Sequence, residues 1–183
     1  MVRTITLKLG GLMTILAISG VAATGKTETA KVLAKRIRWK LVRPDYVAKK
    51  KKLYLGYDKE RKSWIVDIKK LRKEIKKAEK ENKNIIVESL YAHSLPADIV
   101  VILRCNPKIL LKRLKKKYTW QTKITENYEA EMIGVIPCET KKTKGVYEID
   151  TTKSSPLQTA KIIERILAGK TKNYKIGKIQ WLR

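Results

Sequence analysis

Acidic residues are scarce in this chain, 17 Asp and Glu against 43 Lys and Arg, which leaves a formal net charge of +26. Lysine-coated surfaces adapted to high temperature gain Glu together with Lys. An acid-poor excess instead speaks for an anionic partner that offsets the self-repulsion, RNA or a membrane surface, and contact with nucleic acid is the expectation. Cysteine is nearly absent as well. Cys105 and Cys138 stand far apart without CxxC spacing, which excludes a zinc framework or a disulfide scaffold and fits a reducing, cytoplasmic setting. Beyond residue 23 no apolar run approaches membrane-spanning length. The first 23 residues imitate a secretory signal, with Arg3 and Lys8 ahead of an apolar run from Leu9 to Ala23. Cleavage near Ala23 would cut through a glycine loop, so that reading is set aside. Met13 directly precedes the first expected strand and is an alternative to Met1 as the start of translation, with residues 1–12 then an extension. Internal repeats are missing too, and 183 residues leave room for one well-buried core.

What is present is an alternation of strand-like and helix-like segments. Thr14–Ser19 is a short apolar run ended by Gly20, the pattern of a buried strand entering a tight turn. Ala30, Leu33, Ala34 and Ile37 then recur at helical spacing between Lys26 and Trp39. Residues 40–67 hold Pro44, Gly56, three tyrosines and the lysine run 49–52, and read as an irregular excursion. Helical spacing resumes from Ile68 to Lys80, followed by buried-strand candidates at 85–87 and 99–103. Pro107 opens a helix to about Lys117; a polar stretch precedes another helix from about 125 to Val135. Val146–Ile149 reads as the last strand, and Pro156 opens a final helix that Gly169 stops. The order predicts an α/β fold, a parallel sheet covered on both faces, in one domain over 13–183 with a basic tail from Lys170.

Gly20-Val21-Ala22-Ala23-Thr24-Gly25-Lys26-Thr27 fits GxxxxGK(S/T), with an apolar strand before it and an amphipathic helix after it. Glycines let successive N–H groups curl toward one centre, and the helix N-terminus adds positive potential, so a polyphosphate is the expected guest. Gly20, Ala22, Ala23, Thr24, Gly25, Lys26, Thr27 and Glu28 are the candidate nucleotide-binding residues. Lys26 is expected to reach the β and γ phosphates of ATP, and the Thr27 hydroxyl to be a Mg2+ ligand. Glu88 ends a hydrophobic strand, where a carboxylate can hold the metal or orient water; one acid after a strand is also commonplace. His93, the only histidine, is either a contact to the acceptor or attacking water, or a packing residue. Arg104 and Arg113 are expected to aim their guanidinium groups at one region, with Lys117 a turn beyond Arg113, where positive charge serves phosphoryl transfer. In so basic a chain an arginine can equally be solvated.

Several further motifs occur in order: Leu53-Tyr54-Leu55-Gly56-Tyr57-Asp58 with Asp67, Val87-Glu88 with Ala92-His93, Leu103-Arg104, Arg113-Leu114, and Tyr118. Glu126-Asn127 with Glu129-Ala130-Glu131, Glu148-Ile149-Asp150-Thr151-Thr152, and Trp181-Leu182 complete the series. Over roughly residues 14–183 the chain resembles the adenylate kinase isoenzyme 6 family in its archaeal form. The resemblance implies a P-loop NTPase fold, three-layer α/β/α with a five-stranded parallel sheet. It implies an AMP-side excursion at about 43–67 and a short lid at about 117–126. The implied activity is adenylate kinase, ATP and AMP to two ADP, with ATPase activity, in the assembly of the small ribosomal subunit. The implied partners are a ribosomal protein of the subunit platform and ribosomal RNA, and Lys26, Glu88, His93 and Arg113 become the expected catalytic residues. Two positions depart from the family pattern. Leu90 stands where a histidine is common, and Lys117 where relatives carry a lid arginine able to bind phosphate in bidentate fashion. Both give weight to slow kinase turnover and to assembly-linked ATP hydrolysis. A kinase for another small acceptor, and an ATP-switched module that binds RNA or a ribosomal protein, remain alternatives.

Overall fold

All six residues of the first strand, β1 (Thr14–Ser19), are buried, as expected of a central strand covered on both faces. The structure, a computed structural model, describes residues 13–140 and 145–182; the extension expected at 1–12 lies outside the described residues. Around β1 runs a five-stranded sheet, completed by β2 (Lys40–Val42), β5 (Asn84–Glu88), β6 (Ile99–Arg104) and β7 (Val146–Asp150), in the order β2-β5-β1-β6-β7. Every pairing is parallel, with Ala17 opposite Val87 on one side and Val100 on the other.

Because side chains alternate along a strand, β1 feeds two cores. Ile15 and Ala17 face Leu71 and Ile75 of α3 (Ile68–Asn82) and Leu110 and Leu114 of α4 (Pro107–Lys117). Leu16 and Ile18 face Ala30 and Leu33 of α1 (Lys26–Ile37) and Ala160 and Ile163 of α7 (Pro156–Leu167). The result is the expected three-layer α/β/α architecture. Helix starts follow local chemistry. The Asp67 carboxylate accepts the Lys70 N–H at the head of α3, which holds its carboxyl below the usual range. Ser155 and Gln158 form a reciprocal capping box ahead of α7.

The stretch 40–67 is more regular than its composition implies. It contains β2, the helix α2 (Pro44–Lys51), and an antiparallel hairpin of β3 (Tyr54–Asp58) and β4 (Ser63–Val66). A three-residue edge strand is too short to show a period, and a lysine-rich helix that buries only Pro44 and Ala48 has no apolar stripe to read. Only Tyr118–Trp120 separate α4 from α5 (Gln121–Ile133), which α6 (Val135–Thr140) follows. The basic tail folds back onto the sheet: Tyr147 bridges Lys175, and the Gly177 N–H donates to Glu148 at 2.7 Å.

Candidate functional site

The loop between β1 and α1 is built on two glycines with different demands. Gly20 has φ +140°, and a Cβ there would lie 2.4 Å from the Leu103 carbonyl oxygen. Gly25, at φ +91°, caps α1 and meets nothing within 4 Å. Ala23 also takes positive φ, 65°. The curl is fixed from inside, where the Thr24 hydroxyl donates to the Val21 carbonyl at 2.9 Å and the Lys26 ammonium donates to the same oxygen at 2.8 Å. From outside, the Thr151 hydroxyl lies 2.9 Å from the Thr24 carbonyl and 2.8 Å from that of Arg104. Burial pushes Lys26 down to about 8; nearby Lys117 adds to the shift, while Glu88 and Asp45 oppose it.

Glu88 arrives at the carboxyl end of β5, beside β1, as that register requires. Its buried carboxylate accepts the Thr27 hydroxyl at 3.1 Å and faces Arg43 Nε at 3.7 Å. Arg43 and Asp45 head α2, and Asp45 accepts the Tyr91 phenol at 2.6 Å. Burial, then this contact, raises the Tyr91 phenol above its usual range. Lys26, Thr27 and Glu88 thus meet at one point, with Arg43, Asp45 and Tyr91 around them.

Of the remaining expected residues, Lys117 lies near Lys26, and the others are held by partners of their own. His93 sits in a short 3-10 turn (Ala92–Ser94), its ring between Ser19 Oγ, 2.8 Å from Nδ1, and Glu139, 2.7 Å from Nε2. Ser19 Oγ also donates to the Leu90 carbonyl at 2.8 Å. Arg113 reaches the loop after β7, where Nη2 donates to the carbonyls of Thr151 and Thr152 at 3.1 and 3.0 Å. Lys117 Nζ lies 5.4 Å from the Tyr118 ring centre. Arg104 does not join Arg113. Its buried guanidinium donates to Glu131 at 2.7 Å and Glu148 at 2.8 Å and lies against Trp181, whose indole N–H donates to Glu131 at 2.8 Å. Desolvation raises the Glu131 carboxyl, and Arg104 opposes that shift.

Sequence reading alone gave no role to Arg43, Asp45 or Tyr91, because Asp45 and Tyr91 meet only through the tertiary fold. Asn127 is a further case: its side-chain oxygen accepts the Ala22 N–H at 2.9 Å. A groove of about 580 Å³, lined by Val21, Arg61, Tyr91, His93 and Asn127 among others, opens beside it.

Among the described residues no cluster of three or more His, Cys, Asp or Glu could hold a metal. The donor set does fit Mg2+, which takes one or two protein oxygens and completes its shell with water and phosphate; the Thr27 hydroxyl and the Glu88 carboxylate supply such oxygens. Among the described residues no helix is long and apolar enough to cross a membrane.

Residues 16–134 match the AAA domain family. A protein of Methanocaldococcus jannaschii named "Putative adenylate kinase" is 37% identical over 167 residues, covering 91% of this chain and 92% of its own. One of the same name from Methanosarcina barkeri is 38% identical over 178 residues, covering 92% and 97%. In fold, the chain is similar to shikimate kinase from Acinetobacter baumannii, with a TM-score of 0.61 at 12% identity over 86% of this chain and 94% of that one.

Proposed function

This chain belongs to the archaeal adenylate kinase isoenzyme 6 family, and from that premise we propose that it transfers the terminal phosphoryl group of ATP to AMP, giving two ADP, and also hydrolyses ATP. The observation that carries the reading is the meeting of Thr27 and Glu88 at 3.1 Å beside the buried Lys26 in a glycine loop. Phosphoryl transfer asks for positioning and charge more than covalent chemistry. The loop amides from Ala23 to Glu28 hold the phosphates of ATP, and Lys26 exchanges the Val21 carbonyl for phosphate oxygens. Thr27 and Glu88 hold Mg2+, which when bound neutralises charge on the phosphates. Arg113, on α4 and bonded to the loop after β7, bounds the nucleotide on the lid side, and Lys117 adds charge there. His93 keeps the segment after Glu88 in register with Ser19, next to Gly20. AMP, or another nucleoside monophosphate, enters between the α2–hairpin unit and the loop.

The second reading is favoured by the +26 charge and by Lys117 and Leu90 in place of the family's arginine and histidine. In it, ATP hydrolysis serves assembly of the small ribosomal subunit in the cytoplasm, alongside a platform ribosomal protein and ribosomal RNA, whose phosphates attract a basic chain in a salt-dependent way. Product analysis separates the two. ATP and AMP mixed with the protein should yield ADP at a rate that depends on AMP, and Lys26→Ala should abolish it. ADP formation indifferent to AMP but accelerated by ribosomal RNA would favour the assembly reading over the kinase.

A further inference from the structure

The phosphate loop is held at its front by a residue from a distant helix. The Ala22 N–H donates to Asn127 Oδ1 at 2.9 Å, across 105 residues of sequence. The Asn127 amide is locked at its other end too, because Nδ2 donates to the Lys123 carbonyl of its own helix at 2.8 Å. Those two contacts fix which atom of the amide faces the loop. An aspartate could not serve both, since it would present oxygen to the Lys123 carbonyl. Directly after Ala22 comes Ala23 in the left-handed region, a conformation that is strained for an L-residue. The internal contacts of the loop all converge on Val21 O, behind this point. Thr151 restrains the loop from outside at the Thr24 carbonyl, and Asn127 is the restraint on the Ala22 side, where the segment must stay curled for its amides to converge.

Helix α5 buries Ile124 in its first half and Glu131 in its second. Toward its C-terminus Glu131 is buried against Arg104 and the Cys105 N–H. At its N-terminal side it meets the hairpin turn. Arg61 Nε lies 3.5 Å from Glu126, the residue next to Asn127, and Lys62 lies 5.3 Å from the ring centre of Trp120, the N-cap of α5. Arg61 and Glu126 are both exposed, and solvent-exposed pairs are weak, so this contact forms and breaks readily.

We infer that Asn127 is a positioning residue. It holds the front of the phosphate loop in its anion-binding curl, and it makes that curl depend on the seating of α5, to which the hairpin turn is tied through Arg61 and Glu126. The inference rests on ATP binding at this loop, and not on AMP being the acceptor.

Three variants test it: Asn127→Ala, Arg61→Glu, and the charge swap Arg61→Glu with Glu126→Arg. The readouts are the Kd for ATP by calorimetry, kcat and KM for ADP formation, and Tm. Asn127→Ala should lower kcat on the order of tenfold or more, as misplaced reacting groups do, while the ATP Kd weakens less than about threefold and KM holds. Arg61→Glu should lower kcat in the same sense, and the swap should restore it; both are surface changes that leave folding intact. Tighter ATP binding in Asn127→Ala would instead make the amide a phosphate competitor. A lower Tm at unchanged kcat would make it a packing residue, and failure of the swap to rescue would cut the hairpin out of the linkage. ATP affinity and hydrolysis still judge Asn127 if ADP formation proves independent of AMP, so this inference and the kinase reading fail separately.

Discussion

The Lys26 ammonium donates to the carbonyl of Val21, five residues back in its own loop, at 2.8 Å. A lysine in that position satisfies one donor and remains desolvated, which is why its pKa falls to about 8. Binding a polyphosphate would replace one neutral oxygen with several charged ones and favour the ammonium form.

Proton linkage follows. Between pH 8 and the ordinary lysine range the unfolded chain holds the Lys26 proton and the folded, nucleotide-free protein does not, so stability contributed at this site rises with pH through that window. Below pH 8 the buried charge costs on the order of 3 kcal/mol. Lys26→Met should therefore raise Tm at pH 7 without nucleotide, and the gap to the wild type should close toward pH 10. ATP binding to the wild type should take up a proton above pH 8, seen by calorimetry in two buffers of different ionisation enthalpy. A Lys26→Met protein no more stable than the parent at pH 7 would contradict the desolvated ammonium.

Thr27 and Glu88 share a 3.1 Å hydrogen bond, so the acid is poised toward the hydroxyl expected on the metal. Glu88→Gln keeps the shape and can still accept from Thr27, but removes the charge. ATP turnover should fall about 10- to 100-fold, the usual loss when a partner of a metal site is altered, and the Mg2+ concentration for half-activity should rise. The measurement is a Mg2+ titration of ADP formation; an unshifted midpoint would take Glu88 out of metal binding.

The frame of the fold was legible where the signal is local. The runs Thr14–Ser19 and Ile99–Leu103 are apolar and bounded by turn residues, and both are buried strands. Pro107 and Pro156 sit at the heads of α4 and α7 as expected. The glycine loop was legible because its motif carries its own geometry. What stayed hidden depends on register and tertiary contact. Strand β2 is three residues long at the sheet edge. Arg104 reads as a cation at a strand end, yet two carboxylates 27 and 44 residues away claim it. Nothing around residue 104 announces those partners.

That cluster makes its own prediction. Arg104 lies between Glu131 and Glu148 with all three side chains buried. Arg104→Met leaves two carboxylates without their cation, and removing one partner of a buried pair costs about 3–5 kcal/mol. Trp181→Phe removes the indole N–H donated to Glu131 and part of the ring beside Arg104, and the lost bond to a carboxylate is worth about 1.5–3 kcal/mol. Denaturant unfolding should rank the two in that order, and a larger loss from Trp181→Phe would place the weight of the cluster on the tail.

Gly20 and Gly25 separate two reasons for glycine in one motif. At Gly20 a Cβ would press on the Leu103 backbone at 2.4 Å, and φ is +140°. Backbone cannot swing aside as a side chain can, so Gly20→Ala must displace β6 from β1 or unwind the loop. At Gly25 the space is open and only φ, +91°, resists a side chain, a strain of about 1–3 kcal/mol. Gly25→Ala should therefore fold, with a Tm lowered by roughly 2–4 °C per kcal/mol for a chain of this size and with weakened ATP binding, because the helix cap turns away from the phosphates. Gly20→Ala should fail to give folded protein. Circular dichroism melts of both variants decide the matter: if Gly20→Ala melts as cooperatively as Gly25→Ala and near the same temperature, the close approach of the loop to Leu103 is not what requires glycine there.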